Sequence, residues 1–325
     1  MKNSNFSESE WTGIKQAANL LRTGALVAIP TETVYGLAAN AFNEQAVQLI
    51  YQTKGRPNNN PLIVHIKNID ELKNIAQNIP EMAWRLAVHF WPGPLTLILN
   101  KKPCISNIVS ANYETVGIRV PNHPMTLELL HQLDFPLVAP SANRSNHISP
   151  TRPEHVVQSL GSKQPFILDG GFCAQGLEST IIGFRDSTVV ILRQGAIPQE
   201  DIENIVGDKV LDLSEVTEQN QSPGSSLKHY APKTPLILLE KIEMEIEHNG
   251  KRVGYIVLKK TFSVEESNEL IALSENGNLR EAAANLYDAL HKLDNLNLDL
   301  LYVEKMPELG LGKAINDRLN RAAAK

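Results

Sequence analysis

Two cations separated by a single glycine, Lys54 and Arg56, open the run KGRPNNNP and are the clearest candidates for chemistry in this sequence. They lie between a helical pattern and the apolar strand pattern PLIVHI. Cations at a helix C-terminus also complement the helix dipole, and this structural explanation remains an alternative. The rigid, amide-rich segment that follows, with Asn60, favours a polyphosphate site, because arginine presents a planar fork and lysine a point charge.

Two further polar clusters follow apolar strand patterns. Ser141 and Asn143 lie in APSANRSNHISP, which begins at the end of PLVAP, although an ordinary serine or asparagine turn uses the same residue types. Glu32, Thr33 and Tyr35 lie in PTETVYGLAAN, at the end of GALVAIP. A strand end needs only Gly, Pro or Asn to turn, so this density of hydrogen-bonding side chains indicates a binding site.

These clusters are predicted to be positioned by a sheet with helices packed on it. Apolar periodicity predicts helices at ESEWTGIKQAANLL, NEQAVQLIYQTKGR, PEMAWRLAVHFW, HPMTLELLHQL and RPEHVVQSLG. Apolar runs predict strands at ALVAIP, PLIVHI, LTLIL, TVGIRVP, PLVAP, FILDGG, STIIGF and TVVILRQG. In the second helix, Asn43 is the predicted N-cap, and Ala46, Leu49 and Ile50 form the predicted inward face. Because strands and helices mix without strict alternation, we expect a twisted mixed sheet of the α/β or α+β class.

The composition of the chain changes near residue 208. The segment 208–234 is polar and shows no apolar period, which is typical of a linker or a functional loop. Beyond it, LILLE, RVGYIVL and LDLLYVE predict strands, and NLREAAANLYDALHKLD and GKAINDRLNRAAA predict helices. We therefore expect a first domain at 1–207, a linker at 208–234 and a small α/β domain at 235–325.

Charge and cysteine content narrow the function classes. The 325 residues carry a net charge of −5, which argues against a protein whose whole surface binds nucleic acid, although an RNA-binding module with a local basic pocket remains an alternative. The two cysteines, Cys104 and Cys173, have no zinc-ligand spacing, and no metal site is expected. No secretory signal and no membrane-length apolar run is visible, so we expect a cytoplasmic protein without membrane contact.

Several motifs occur in an order that closely resembles the YrdC/Sua5 family, the threonylcarbamoyl-AMP synthases: PTETVYGLAANAF, KGRP, NPLIVHI, WPGPLTLIL, VGIRVPNHP, APSANRSN and LEST. PGSSLKHYAP resembles the linker motif of the longer, Sua5-type members, and the resemblance covers nearly the whole chain. It implies a YrdC-like twisted mixed sheet with flanking helices at 1–207, a lid within 208–234 and a Sua5-type, Rossmann-like α/β domain at 235–325. Hydrogenase-maturation relatives that transfer carbamoyl groups are an alternative, but they carry additional zinc-finger modules.

The resemblance implies a nucleotidyl transfer. L-Threonine, bicarbonate or CO₂, and ATP would give L-threonylcarbamoyl-adenylate and pyrophosphate, with Mg²⁺ bridging the phosphates. The product would pass to a tRNA threonylcarbamoyl transferase complex for the t⁶A modification at position 37 of tRNA. Direct contact with tRNA is a further expectation.

Motif matching also implies the site residues. The implied catalytic residues are Lys54, Arg56, Ser141 and Asn143. The implied L-threonine contacts are Thr33, His65, Arg119, Ala139 and Ser179. The implied ATP contacts are Lys54, Arg56, Asn60, Thr115, Ser141, Asn143, Ser149, Arg193 and Tyr230.

Several of these residues have simpler explanations when considered alone. His65 on an apolar strand would be a core histidine, and Arg119 would form a surface ion pair. Glu32 and Tyr35 are expected to brace their loop rather than to do chemistry. Tyr230 in HYAP is expected to act as a lid that excludes water, because the implied product is a reactive mixed anhydride.

Overall fold

A computed structural model describes residues 6–185, 188–213 and 229–324 of the chain. Its helices are α1 (Glu8–Arg22), α2 (Glu44–Lys54), α3 (Leu72–Ile75), α4 (Glu81–Phe90), α5 (Asn107–Ser110), α6 (Pro124–Gln132), α7 (Pro153–Leu160), α8 (Gln199–Val206), α9 (Leu279–Asp294) and α10 (Leu311–Ala323). The first domain's strands are β1 (Val27–Ile29), β2 (Gly36–Asn40), β3 (Ile63–His65), β4 (Leu95–Asn100), β5 (Thr115–Arg119), β6 (Leu137–Val138), β7 (Phe166–Ile167), β8 (Thr180–Arg185), β9 (Thr188–Arg193) and β10 (Leu211–Asp212). The second domain contains β11 (Leu236–Leu239), β12 (Val253–Val257), β13 (Glu269–Ala272) and β14 (Leu300–Glu304).

The first domain is built on one mixed sheet of ten strands in the order β10-β9-β8-β4-β5-β3-β6-β2-β1-β7. Parallel pairs such as β3 with β5 and β4 with β8 alternate with antiparallel pairs such as β4 with β5 and β8 with β9. The helices pack on this sheet and bury a large aliphatic core. The predicted class, a mixed sheet with flanking helices, is confirmed.

Helix α2 delivers the two candidate cations. Its predicted N-cap is confirmed, since Asn43 Oδ1 accepts a hydrogen bond from the amide three residues on, at 3.1 Å. The helix ends at Gly55, whose φ of 61° is a left-handed conformation that glycine adopts without strain. The inward face was partly mispredicted: Leu49 is 42% exposed, whereas Val47 and Tyr51 are buried. Successive residues of a helix are rotated by 100°, and the buried face of α2 is formed by Val47 and Tyr51 together with Ile50 and Lys54. Leu49 therefore points towards solvent.

The polar stretch after β1 is the connection of a β-hairpin. β1 and β2 pair antiparallel, with Ile29 opposite Gly36, so residues 30–35 form the loop between them. β2 was not predicted, because its sequence GLAAN has low strand propensity and follows the polar cluster without a break. The hairpin fixes both ends of the loop and directs its side chains towards the neighbouring strands.

The second domain has a parallel sheet of four strands in the order β11-β14-β12-β13, with α9 and α10 packed against it. This agrees with the predicted Rossmann-like α/β domain. Its core continues onto the first domain, where Leu177, Ala196 and Tyr230 pack in one apolar cluster with Leu286 and Tyr287 of α9. The two domains therefore share an apolar cluster.

The predicted linker at 208–234 is only partly described. Its first part contains β10, which pairs with β9 and extends the sheet of the first domain. Residues 214–228, including most of the predicted lid, lie outside the described residues. Within the described part of the chain, no helix combines the length and apolar character that crossing a membrane requires.

Candidate active site

The polar clusters of the first domain converge on a cavity of about 60 Å³. Sites that enclose small molecules usually measure about 300–1,000 Å³, so this cavity has room for only a few waters. The cavity in the described structure is therefore too small for a nucleotide. The cavity is lined by Thr33, Val34, Arg56, Pro61, Leu62, Ile63, His65, Arg119, Ala139, Pro140, Ser141, Glu178, Ser179, Arg193, His229 and Tyr230.

Arg119 lies at the end of β5 and forms one wall of the cavity. Its Nε donates to Gly93 O at 3.1 Å, and its Nη1 donates to Thr33 Oγ1 at 3.1 Å. Its Nη2 lies 2.7 Å from Glu32 Oε1, but neither Nη2 nor the buried carboxylate has a partner in hydrogen-bonding geometry. The guanidinium is therefore held by Gly93, Thr33 and the charge of Glu32 while it lines the cavity.

The loop that carries Glu32 and Thr33 is braced from behind. Thr31 Oγ1 lies 2.8 Å from Thr33 Oγ1, and Tyr35 OH donates to Gly171 O at 2.9 Å while accepting from the amide of Gly170 at 3.0 Å. Tyr35 therefore braces the loop, as predicted. Glu32 serves as the counter-ion of Arg119 and has no other role that its contacts indicate.

His65 lies beside Arg119 because β3 and β5 pair in parallel with these two residues in register. Burial, and then the charge of Arg119, lower the pKa of His65 to about 3. Its Nδ1 lies 3.2 Å from Ile63 O. His65 is therefore a neutral hydrogen-bonding group in the cavity wall at physiological pH.

Ser179 and Arg193 line another part of the cavity, immediately before β8 and at the end of β9. Arg193 donates to Ser179 through Nη2, at 2.7 Å to the carbonyl oxygen and 3.1 Å to Oγ. Ser179 Oγ also lies 2.7 Å from Thr96 Oγ1. Burial is the main cause that lowers the pKa of Arg193, but the side chain remains a cation at neutral pH.

The Lys54–Arg56 pair serves two different parts of the site. Arg56 lines the cavity, and its Nη2 donates to Asn60 Oδ1 at 2.5 Å and to Pro61 O at 2.9 Å. Lys54 lies behind the wall, where its Nζ donates to the carbonyl oxygens of Ser141 and Asn143, both at 2.5 Å. Lys54 therefore links α2 to the second polar cluster, and Asn60 holds the Arg56 guanidinium.

Burial of these two cations has an electrostatic consequence. Burial, with a smaller contribution from Arg56, lowers the pKa of Lys54 well below its usual value. Burial is also the main cause that lowers the pKa of Arg56 to about 10. Two neighbouring buried cations favour an anion beside them, because each loses hydration that an anion would replace.

The segment that follows the undescribed residues closes the cavity. His229 and Tyr230 line it, and Tyr230 is 1% exposed. Its φ is 61°, a left-handed conformation that tyrosine rarely adopts and that the surroundings must impose. The ring lies against Tyr287 at 5.8 Å between centroids and under the Arg318 guanidinium at 5.1 Å. Both contacts come from the second domain.

Nine of the predicted site residues line the cavity and five do not. The nine are Thr33, Arg56, His65, Arg119, Ala139, Ser141, Ser179, Arg193 and Tyr230. Lys54, Asn60 and Asn143 support the wall through hydrogen bonds. Thr115 lies at the opposite end of β5 from Arg119, and Ser149 donates to Glu178 Oε1 at 2.7 Å.

The sequence reasoning did not assign Glu178, Tyr287 or Arg318. Glu178 lines the cavity and accepts hydrogen bonds from Tyr287 OH at 3.0 Å and from Arg318 Nε at 2.8 Å. Glu178 is part of the motif LEST, so its position was signalled, but its partners lie in the second domain. No pattern in the sequence indicates that pairing.

A further grouping of possible metal ligands lies outside the cavity and was not predicted. Glu245, His248 and Glu265 bring three ligand atoms within 4.8 Å of one another. Asn268 Nδ2 already lies 2.6 Å from Glu245 Oε1 and 2.8 Å from His248 Nε2. These hydrogen bonds occupy atoms that an ion would need.

Comparison with known proteins agrees with the two-part architecture. Residues 19–195 match the family model described as Telomere recombination, and residues 197–324 match the model described as Threonylcarbamoyl-AMP synthase, C-terminal domain. A Threonylcarbamoyl-AMP synthase of Bacillus subtilis is 43% identical over 320 residues, which cover 95% of this chain and 92% of the relative. One of Pyrococcus abyssi is 38% identical, with coverages of 97% and 94%.

A solved structure of similar fold extends this likeness to three dimensions. The crystal structure of P. abyssi Sua5 complexed with L-threonine superposes with a TM-score of 0.87 at 37% identity, covering 97% of this chain and 94% of that one. The likeness includes both domains and is therefore not confined to a common sheet. This chain belongs to the family of the Sua5-type threonylcarbamoyl-AMP synthases.

Proposed function

We propose that this chain is an L-threonylcarbamoyladenylate synthase, a nucleotidyltransferase that converts L-threonine, bicarbonate or CO₂, and ATP into L-threonylcarbamoyl-adenylate and pyrophosphate. The observation that carries the proposal is the arrangement of three arginines, Arg56, Arg119 and Arg193, around one buried cavity. An amino-acid carboxylate and a triphosphate are the anions that such walls suit.

Arg119 binds the carboxylate of L-threonine in this proposal. Its guanidinium lines the cavity, and a bidentate guanidinium–carboxylate pair is a geometry that recognises an amino-acid carboxylate. Thr33, His65 and Ser179 line the same cavity and offer hydrogen-bonding groups for the amine and hydroxyl. At Ala139 the backbone makes the contact, because its side chain has no polar atom.

The nucleotide binds on the side of Arg56 and Arg193. Arg56 and Ser141 contact the phosphates directly, while Lys54 and Asn143 reach them when the loop carbonyls they now hold are rearranged. The full set of proposed ATP contacts is Lys54, Arg56, Asn60, Thr115, Ser141, Asn143, Ser149, Arg193 and Tyr230.

The reaction follows from positioning and charge neutralisation. The threonine amine adds to CO₂ to give a carbamate and releases a proton. A carbamate oxygen then attacks the α-phosphorus of ATP, and the bond to the bridging oxygen of pyrophosphate breaks. Arg56, Arg193 and Lys54 stabilise the negative charge that spreads over the phosphates, and Arg119 holds the nucleophile in line.

Magnesium is proposed to enter with ATP. Among the described residues that line the cavity, Glu178 is the one carboxylate, and its oxygens already accept hydrogen bonds from Ser149, Tyr287 and Arg318. This donor set fits an ion carried by phosphate oxygens and water, which is how Mg²⁺ is commonly bound. When bound, the ion supplies charge neutralisation on the triphosphate.

The closed position of Tyr230 supports a role in excluding water. The product is a mixed anhydride, and a cavity that admits few waters slows its hydrolysis. Substrates enter only when the 229–230 segment moves away, because the closed cavity is too small for them. The product then passes to a tRNA threonylcarbamoyl transferase complex, in the cytoplasm, for t⁶A37 formation in tRNA.

The test is pyrophosphate release by the purified chain with ATP, Mg²⁺ and bicarbonate, with and without L-threonine. We expect release that depends on L-threonine, that L-serine supports poorly, and that is lost in Lys54→Ala and Arg56→Ala. Arg22→Ala, which removes an exposed arginine on α1, is the matched control and retains activity. Release without threonine dependence by the folded protein would contradict the proposal and favour the RNA-binding alternative.

A further inference from the structure

Arg318 of α10 reaches from the second domain into the wall of the cavity. The side chain is fully buried, with the residue 1% exposed. Its Nε donates to Glu178 Oε2 at 2.8 Å, its Nη2 donates to Gln194 O at 2.8 Å, and its guanidinium lies 5.1 Å from the centre of the Tyr230 ring. One side chain thus joins a wall residue, a strand end and the closing tyrosine.

Glu178 depends on the second domain for two of its three side-chain donors. Ser149 of the first domain donates to Oε1 at 2.7 Å, whereas Tyr287 and Arg318 donate from α9 and α10. Burial alone would raise the pKa of Glu178, but the charges of Arg318 and Arg193 outweigh it and hold the pKa at about 2. The cavity therefore contains an ionised carboxylate whose main counter-ion belongs to the other domain.

Tyr230 is held by the same helix. Beside the ring contact with Arg318, the His229 amide donates to Arg321 O of α10 at 3.2 Å, and the Ala231 amide donates to Asn146 O of the first domain at 3.0 Å. The left-handed φ of 61° at Tyr230 is unfavourable for a tyrosine, so these contacts must maintain it.

We propose that Arg318 is a positioning residue for the reaction: it fixes Glu178 and Tyr230 in the nucleotide wall, so that the site of the first domain is completed by the second. The kinetic part of this inference rests on the proposed function. If Arg318 only held the two domains together, replacing it would have the same effect as breaking any other ion pair across the interface. Such a pair exists: Arg152 Nε lies 2.7 Å from Asp288 Oδ1, and neither residue lines the cavity.

The first arm of the test needs no activity. Hydrogen–deuterium exchange of the full chain, followed by mass spectrometry, reports the amides of His229 and Ala231. In Arg318→Gln we expect both amides to exchange at least about tenfold faster, because the desolvated cation–π contact and its geometry are lost. In Arg152→Gln, where the arginine side chain is 43% exposed, the same amides change by less than about twofold.

The second arm separates positioning from stability. Arg318→Gln leaves Glu178 as a buried charge without its main counter-ion, whereas the double variant Glu178→Gln/Arg318→Gln removes both members of the ion pair. We expect Arg318→Gln to lower the unfolding midpoint and to raise the KM for ATP at least about tenfold above that of the unmodified chain. The double variant should recover the unfolding midpoint but keep the raised KM, because Tyr230 still lacks its cation. Arg318→Lys retains the charge without the planar fork and gives intermediate values.

Two results would overturn the inference. One is equal exchange and equal KM for ATP in Arg318→Gln and Arg152→Gln. The other is full recovery of exchange and KM in the double variant, which would reduce Arg318 to a partner of Glu178. If the unmodified chain releases no pyrophosphate with threonine, the proposed function fails, and the exchange arm alone still decides whether Arg318 fixes Tyr230.

Discussion

Replacing Arg119 with lysine tests the threonine half of the site. The substitution keeps a cation opposite Glu32 but removes the planar fork, so the Nε bond to Gly93 and one Nη position are lost. Loss of one hydrogen bond to a charged group costs about 1.5–3 kcal/mol. At 1.36 kcal/mol per decade, the KM for L-threonine should rise about 10- to 150-fold.

The discriminating measurement is the pair of KM values for L-threonine and ATP in pyrophosphate release. Because β8 and β4 lie between β9, which ends at Arg193, and β5, which ends at Arg119, the KM for ATP should change less than about threefold. Arg85→Lys, which alters an exposed arginine bonded to Ile205 O, is the matched control and leaves both constants unchanged. Equal increases for both substrates would refute the carboxylate role, as would an unchanged threonine KM in a protein of normal stability.

Three further predictions concern pH and packing. His65 is neutral in the folded chain and takes up a proton near pH 6.5 when unfolded, so the free energy of unfolding should fall as the pH drops from 7 to 5. His65→Asn should reduce that loss by about 2 kcal/mol, measured by urea titrations followed by tryptophan fluorescence. An unchanged loss would contradict this prediction. Leu286→Ala in α9 should lower the free energy of unfolding of the second domain by about 2–5 kcal/mol, measured by circular dichroism. Leu296→Ala, at a position that is 38% exposed, should lower it by less than about 1 kcal/mol. Similar losses would show that the buried face is misassigned. A Cβ on Gly195 would lie 2.4 and 2.5 Å from backbone atoms at the start of β8, so Gly195→Ala should lower both the unfolding midpoint and the affinity for threonine. In the control Gly13→Ala the new Cβ meets only one leucine methyl, at 3.2 Å, and both quantities should stay within error. Equal effects of the two substitutions would contradict this prediction.

Much of the first domain was predictable because its longer helices are periodic and its strands lie in apolar runs. The helix beginning at Glu8 and the strands around His65 and Arg119 follow directly from apolar spacing. The errors lie where periodicity is ambiguous: Leu49 satisfies a helical period yet is on the solvent side of α2. β13 was missed because ELIA is short and follows a polar run, and its pairing with β12 depends on tertiary context.

The candidate site was predictable to the extent that its residues cluster in sequence. Ser141 and Asn143 are close neighbours, and motif matching assigned Thr33 and Arg119 to one pocket although 86 positions separate them. The contribution of Arg318 was not predictable, because a buried arginine on an amphipathic helix has the same local pattern as a solvated one. Only the docking of the second domain identifies its partner.

The reach of Arg318 across the domain boundary also determines when the site can form during synthesis. Glu178 precedes Arg318 by 140 positions, which at ribosomal rates of about 5–20 residues per second means a delay of about 7–28 s. Throughout that interval β8 can be in place while the Glu178 carboxylate has no arginine from α10. Completion of the cavity is therefore a late docking event, and a chain still on the ribosome cannot hold Tyr230 closed over its substrates.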